Sequence, residues 1–194
     1  RVLFRSHEHK IRAQTDYIMM AQYNHETSNL ANRLSIEEVG KVITSIMHND
    51  MDYTDEFLEP DFVDRCNALE QNPERRLCGV GISSCCMVEN GNVYPCPGWQ
   101  MMVLGNVNEQ PLKEIWDNSE KIKWLRSLKF KDLGGGECCK CDKAAFCAPC
   151  MVRNANESPT GNPLEINRHF CAVAAKNKQI VLDWREAKLK AVSK

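Results

Sequence analysis

Five cysteines fall within thirteen residues: Cys138, Cys139, Cys141, Cys147 and Cys150. The spacing Cys138-x2-Cys141 lets two thiolates reach one metal across a tight turn, and Cys147-x2-Cys150 offers a second pair. Cys78 and Cys96 precede the run and Cys171 follows it. One such pair would be weak evidence. Two pairs with flanking cysteines point to a metal site. Thiolates are soft, anionic donors that suit zinc and iron–sulfur clusters alike, so spacing alone does not choose between them. A disulfide framework is the competing use of a chain with 11 cysteines, but the adjacent pairs Cys85-Cys86 and Cys138-Cys139 fit one poorly. Cys66 sits on an apolar helical face and reads as a core thiol.

The rest of the composition is ordinary. The chain has 194 residues, 43% hydrophobic and 26% charged, with a formal net charge of −1. Near-zero charge gives no reason to expect nucleic acid or acidic lipid as partner. No apolar run approaches the roughly 20 residues of a membrane helix. The basic residues Arg185, Lys188, Lys190 and Lys194 read as a solvated helix face. No pair of carboxylates stands out as acid and base, and Gly134-Gly135-Gly136 lacks the Lys-Ser/Thr of a phosphate loop.

The elements that must position the cysteines follow from punctuation and periodicity. Asp16 to Met20 reads as a short buried strand. Ser35-Ile36-Glu37-Glu38 is a capping box, and Ile36, Val39, Ile43, Ile46 and Met47 recur behind it at helical spacing. A strand and a capped helix make one β/α unit, which cannot bury its strand on both faces alone. Together with the opening at Arg1 without Met, this reads as the edge of a larger sheet, and Arg1 to Ser6 as residues of uncertain origin. Pro60 to Leu69 reads as a helix, and Pro73 marks a change of composition. Ser84–Val88 and Asn92–Tyr94 read as a hairpin about Asn90-Gly91, both of which tolerate positive φ. Short helices follow at Pro111–Trp116, with Pro111 at N1, and at Ser119–Leu128, with Ser119 at the N-cap. A last helix runs from about His169 or Cys171 towards Lys190. Trp99, Trp116, Trp124 and Phe146 read as packing residues, and His169 as an orienting or packing residue rather than a ligand.

At this point the order of motifs resembles a known family. Cys78, twelve residues, Gly91, four residues, Cys96 is similar to the opening of the SPASM domain, the auxiliary iron–sulfur module of many radical SAM peptide- and protein-modifying enzymes. Leu104-Gly105-Asn106-Val107 and Leu112-Lys113-Glu114-Ile115-Trp116 match further segments of it, followed by Cys138-x2-Cys141-x5-Cys147 and Cys171. The resemblance covers about Leu77 to Cys171. In one place the chain departs from the pattern: the family usually has three residues before the fourth cysteine of this run, and here only Ala148 and Pro149 precede Cys150.

The resemblance implies two auxiliary four-iron clusters. Cys138, Cys141, Cys147 and Cys171 would serve one. Cys78, Cys96 and Cys150 would serve the other, with a fourth ligand from Cys85, Cys86, the substrate or nothing. Cys139 would be the unused neighbour, unless the register shifts by one. The implied fold is α+β: the last β/α unit of a partial (β/α) barrel at 1–70, a small SPASM domain at 71–175 with a β-hairpin, short helices and cysteine-rich loops, and a C-terminal helix at 176–194. The implied function is oxidative modification of a peptide or protein, the clusters transferring electrons or binding substrate, with an electron donor or acceptor as partner. S-adenosylmethionine and a third cluster would belong to a missing N-terminal half, since Cys-x3-Cys-x2-Cys occurs nowhere in the chain. Cytoplasmic location is expected. The glycines Gly79, Gly81 and Gly134 to Gly136 are expected to let backbone approach sulfur, and Lys140 and Lys143, inside the cysteine run, read as plain surface lysines, with tuning of a cluster's potential as the alternative. Zinc binding by a structural or interaction module, and a free-standing electron carrier, are the alternatives.

Overall fold

The computed structural model describes His9 and residues 17–49, 51–70 and 72–192. Arg1 to Ser6, Asp16 and Lys194 lie outside the described residues. The class is α+β: helices with a small antiparallel sheet.

Helix α1 spans Ile36–Asn49. Its capping box forms as the sequence dictates. Ser35 N–H and Oγ donate to Glu38 Oε2 at 2.9 and 2.8 Å, and Glu38 N–H returns to Ser35 Oγ at 3.3 Å. The apolar stripe Val39, Ile43, Ile46 and Met47 is buried. Helices α2 (Met51–Leu58) and α3 (Phe62–Glu70) follow. Their Phe57 and Phe62 meet edge to face at 5.3 Å between centroids, and Phe62 meets Phe146 at 6.2 Å. The long helix α7 (Arg168–Val192) closes this core with Val173 and Val181. Cys66 packs at its edge, as expected of a core thiol.

The strand expected over Asp16 to Met20 is not found where it can be judged: Tyr17 to Met20 form no strand. An apolar run signals burial, but a strand also needs a neighbour to complete its ladder. Here side chains serve the backbone instead. Arg33 Nε donates to Met19 O at 3.0 Å and Asn29 Nδ2 to Met20 O at 2.8 Å.

The sheet has strands β1 (Cys86–Met87), β2 (Asn92–Tyr94) and β3 (Gly105–Asn106) in the order β1-β2-β3, all antiparallel. The hairpin lies where expected, but its turn differs. Gly91 N–H donates to Val88 O at 2.9 Å and Val88 N–H to Asn92 O at 3.1 Å. Only Gly91, at φ +85°, has positive φ, so the loop is a three-residue type with a glycine bulge rather than a two-residue Asn-Gly turn. Strand β3 came without a sequence signal. It is secured by asparagines: Asn106 Nδ2 donates to Asn92 Oδ1 at 2.9 Å and Asn90 O at 3.0 Å, and Asn108 Nδ2 to Asn90 O at 3.1 Å.

Helices α4 (Leu112–Asn118) and α5 (Glu120–Ser127) cover the sheet, with Pro111 one position earlier than expected, at the N-cap. Val93, Leu104, Ile115 and Ile122 form that core. A third core gathers Leu77, Val80, Trp99, Leu125, Leu128, Phe130, Leu133, Ala144, Met151 and Val152. Trp124, expected inside, is 38% exposed on α5. Helix α6 (Met151–Glu157) starts straight after Cys150. In the basic face of α7, Lys188 and Lys190 are exposed, and Lys190 pairs with Glu186. Among the described residues no helix is long and apolar enough to cross a membrane.

Candidate metal centres

Tight turns and helix starts present the thiols. Cys138 and Cys141 close one 3-10 turn, Cys141 N–H donating to Cys138 O at 3.2 Å. Cys147 ends the next short turn, Ala144–Phe146. Cys171 lies in the first turn of α7, its N–H donating to Asn167 O at 3.2 Å. These four are brought together. Burial pushes the Cys138 thiol up to about 11, aided by the facing thiols of Cys171, Cys147 and Cys141. Burial also raises Cys147, with Cys171 and Cys141 facing it, and raises Cys171, with Cys141 among its neighbours.

A second group stands apart. Cys96 follows β2 and Pro95. Cys150 is the N-cap of α6, and Cys78 is exposed at the rim. Burial raises the Cys96 thiol, with Cys150 and Cys78 facing it, while the backbone N–H groups of Gly98 and Trp99 donate to its sulfur and oppose the rise. Cys147 and Cys150, two residues apart from one another by Ala148 and Pro149, thus fall in different groups. Cys96, Cys150, Cys138 and Cys139 all pack against the Trp99–Phe130 core.

The remaining thiols have other surroundings. Cys139 faces Arg75 and Lys131. Cys85 packs with Val93, Leu104, Ile115 and Ile122. Cys86 lies in β1 opposite Tyr94. All 11 cysteines are free thiols. Among the described residues no three His, Cys, Asp or Glu side chains converge closely enough to hold a single ion. Thiolates that each bind a separate iron of one cluster stand farther apart than thiolates sharing one ion.

A cluster held by four thiolates carries net negative charge, which must be offset when it is buried. The first group is ringed by cations that sequence reasoning missed. Arg153 and Arg75 lower the Cys147 thiol, against its burial. Arg168, on α7, faces Cys171 and Cys138. A sequence signal for it existed: Arg168 precedes Cys171 by three residues, one turn along the same face. Lys143 faces Cys141 and Cys171 and pairs with Asp142. Lys140 is exposed. His169 packs edge-on to Phe170 at 5.1 Å, and burial lowers its pKa.

Among the glycines, Gly134 alone answers the expectation of close approach to sulfur. It adopts φ +60°, and a Cβ there would stand 3.4 Å from Cys138 Sγ. Gly81, at φ +68°, turns against Ile122, and Gly79 lies close to Ser83.

The α+β module thus offers one set of half-buried thiols ringed by cations and another in which amides cap the Cys96 sulfur. Residues 78–151 match the SPASM iron–sulfur cluster-binding domain. The chain is 35% identical over 88 residues to an AdoMet-dependent heme synthase of Methanosarcina barkeri, covering 45% of this chain and 24% of that one. It is 32% identical over 83 residues to the AdoMet-dependent heme synthase of Nitratidesulfovibrio vulgaris, covering 43% and 22%. The match thus spans about a quarter or less of these relatives' length. No solved structure matches the chain.

Proposed function

We propose that the chain binds two auxiliary four-iron clusters within a radical SAM enzyme. Cys138, Cys141, Cys147 and Cys171 hold one, and Cys78, Cys96 and Cys150 hold the other. The single observation that supports this is the division of these seven thiols into two sets with no member in common. The donor chemistry fits the groups. Four thiolates and a ring of guanidinium and ammonium groups suit a buried anionic cluster, and the Gly98 and Trp99 amides suit sulfur at the second. When bound, such clusters supply one-electron transfer or a site for substrate.

The chain's own residues do the rest. Cys138, rather than Cys139, is the ligand, because Cys138 faces the other three thiols. Three thiols at the second set leave its fourth ligand to Cys85, Cys86, the substrate or none. Cys85 is committed to the apolar core beneath the sheet, which leaves Cys86, the substrate or none. S-adenosylmethionine and its own cluster are assigned outside this sequence, in a partial barrel of which 1–70 would be the edge.

The substrate is proposed to be a peptide or protein, with an electron donor or acceptor as partner and neither nucleic acid nor membrane. The relatives' name supports a second reading, in which the substrate is a heme precursor. Free thiols and clusters favour the reducing cytoplasm. Anaerobic reconstitution with iron and sulfide tests the cluster reading. A brown protein with both elements is expected, whereas a colourless protein that takes up zinc alone would make the chain a structural zinc module. Binding of candidate peptides against porphyrins to the reconstituted protein, followed through the cluster spectrum, separates the two substrate readings.

A further inference from the structure

The solvent-accessible cations around the first thiol set have carboxylate partners. Around the first thiol set, Arg168 is bidentate to Glu137 at 2.6 and 3.0 Å, Lys143 pairs with Asp142, and Lys131 pairs with Glu74. Arg153 spends Nη2 on the carbonyl of Ala148 and lies 4.2 Å over the Phe170 ring. Arg75 is different. Its guanidinium stacks 3.5 Å over the ring of Phe130, a residue only 2% exposed. Nη2 makes one long bond, 3.4 Å, to Ala144 O. Its Nε–H is buried with no acceptor among the described residues. An orphaned charged donor is costly unless an anion completes it. The groups that face Arg75 are the thiols of Cys147, Cys139 and Cys138.

We infer that Arg75 is the built-in counter-ion of the cluster held by Cys138, Cys141, Cys147 and Cys171, and that its fixed charge raises that cluster's reduction potential above the value it would otherwise have. The inference rests on the two-cluster reading. Reduction adds one electron and one negative charge to the site, and a guanidinium held in place by a ring favours the more negative form without reorganising. Arg75 touches no substrate in this scheme; it is a positioning residue that acts through the electrostatics of the cluster. The Cys96 thiol is shifted chiefly by its own burial, the Gly98 and Trp99 amides and the thiols of Cys150 and Cys78, so the second cluster serves as an internal reference.

The test is a potentiometric titration of the protein, reconstituted without oxygen, with the two reduced clusters followed by electron paramagnetic resonance. Arg75→Gln removes the charge, and Arg75→Lys keeps it without the planar fork. In Arg75→Gln, the reduced-to-oxidised ratio of one cluster at a fixed potential is expected to fall about tenfold, equal to about 59 mV for a one-electron couple. The other cluster is expected to stay where it was, and Arg75→Lys to show a smaller fall at the same cluster. Should Arg75→Gln fail to retain the first cluster, the Arg75→Lys titration decides. Potentials unmoved in the variants, or both clusters moving together, overturn the role of Arg75 while leaving the clusters in place. A wild-type protein that takes up no iron and sulfide overturns the two-cluster reading itself.

Discussion

Gly134 packs against Ile166 so closely that a side-chain carbon on the glycine would overlap both Cγ1 and Cδ1 of the isoleucine. The same carbon would lie in contact with the Cys138 sulfur, 3.4 Å away. The glycine also holds φ +60°. Gly135 has nearly the same backbone, φ +59°, but open space around it. The pair separates strain from crowding. Gly135→Ala is expected to cost about 1 kcal/mol from backbone strain alone. Gly134→Ala is expected to cost about 3 kcal/mol and to leave iron content near the parent's, because the crowding falls on Ile166 rather than on Cys138. Thermal melts and iron analysis of both variants check this.

Arg33 and Glu157 form a second close relationship, a buried pair whose side chains are 12% and 10% exposed. Glu157 also accepts from Asn167 Nδ2 at 2.6 Å and from Ala21 N–H at 3.4 Å, so one carboxylate ties residues 21 and 33 to α6 and the approach to α7. Replacing either partner alone with Ala leaves a charge without its complement. The expected loss is about 3–5 kcal/mol. The double variant is expected to lose less than the sum of the singles, measured by urea denaturation as a double-mutant cycle.

The thiols give a pH dependence whose sign can be worked out. Burial and neighbouring thiols raise Cys138 from an ordinary value of 9.0 to about 11 in the folded chain. A group raised on folding contributes stability that is fully present below its unfolded value and is lost as pH rises through the folded one. Protein prepared without iron is therefore expected to lose stability between about pH 9 and 11. Cluster-loaded protein, whose ligands are already thiolates, is expected to show no such loss in this range. Urea midpoints of the two preparations at neutral and alkaline pH are the measurement.

Ser35→Ala addresses the helix that leads into the cysteine region. Glu38 is held below the usual carboxylate range by hydrogen bonds from the Ser35 backbone and side chain. A depressed carboxylate contributes stability above its unfolded value and loses it as pH falls through the folded value. The variant is expected to melt lower than the parent at neutral pH, and the gap is expected to narrow in acid. Melting curves at the two pH values decide it.

What could be read in advance depended on whether the signal was local. The Ser35–Glu38 cap is complete within four residues, so its type and place were legible. The proposed thiol groupings rest on the order of cysteines and their resemblance to a family, because spacing alone lets Cys147 and Cys150 share one metal. Strand β3 was not legible, since its own Asn106 side chain anchors it to the main-chain carbonyl of Asn90, sixteen residues away. Tyr17 to Met20 misled, because apolar character was read as pairing. Helix α6 was hidden by Asn154 and Asn156, which are poor helix formers yet are buried here. Trp124 misled in the opposite sense: a large ring suggested core and lies largely at the surface. Arg75 gives no sequence signal, as it is brought to the thiols by Phe130, fifty-five residues away.

The most direct measurement is iron and labile sulfide per chain, with Mössbauer spectra, for anaerobically reconstituted wild type, Cys147→Ser, Cys150→Ser and the double variant. Two four-iron clusters give about eight of each in the wild type. Each single variant is expected to retain about four, with different clusters surviving in the two, and the double variant is expected to retain almost none. Loss of the same iron in both single variants would contradict the assignment of these neighbouring cysteines to separate clusters.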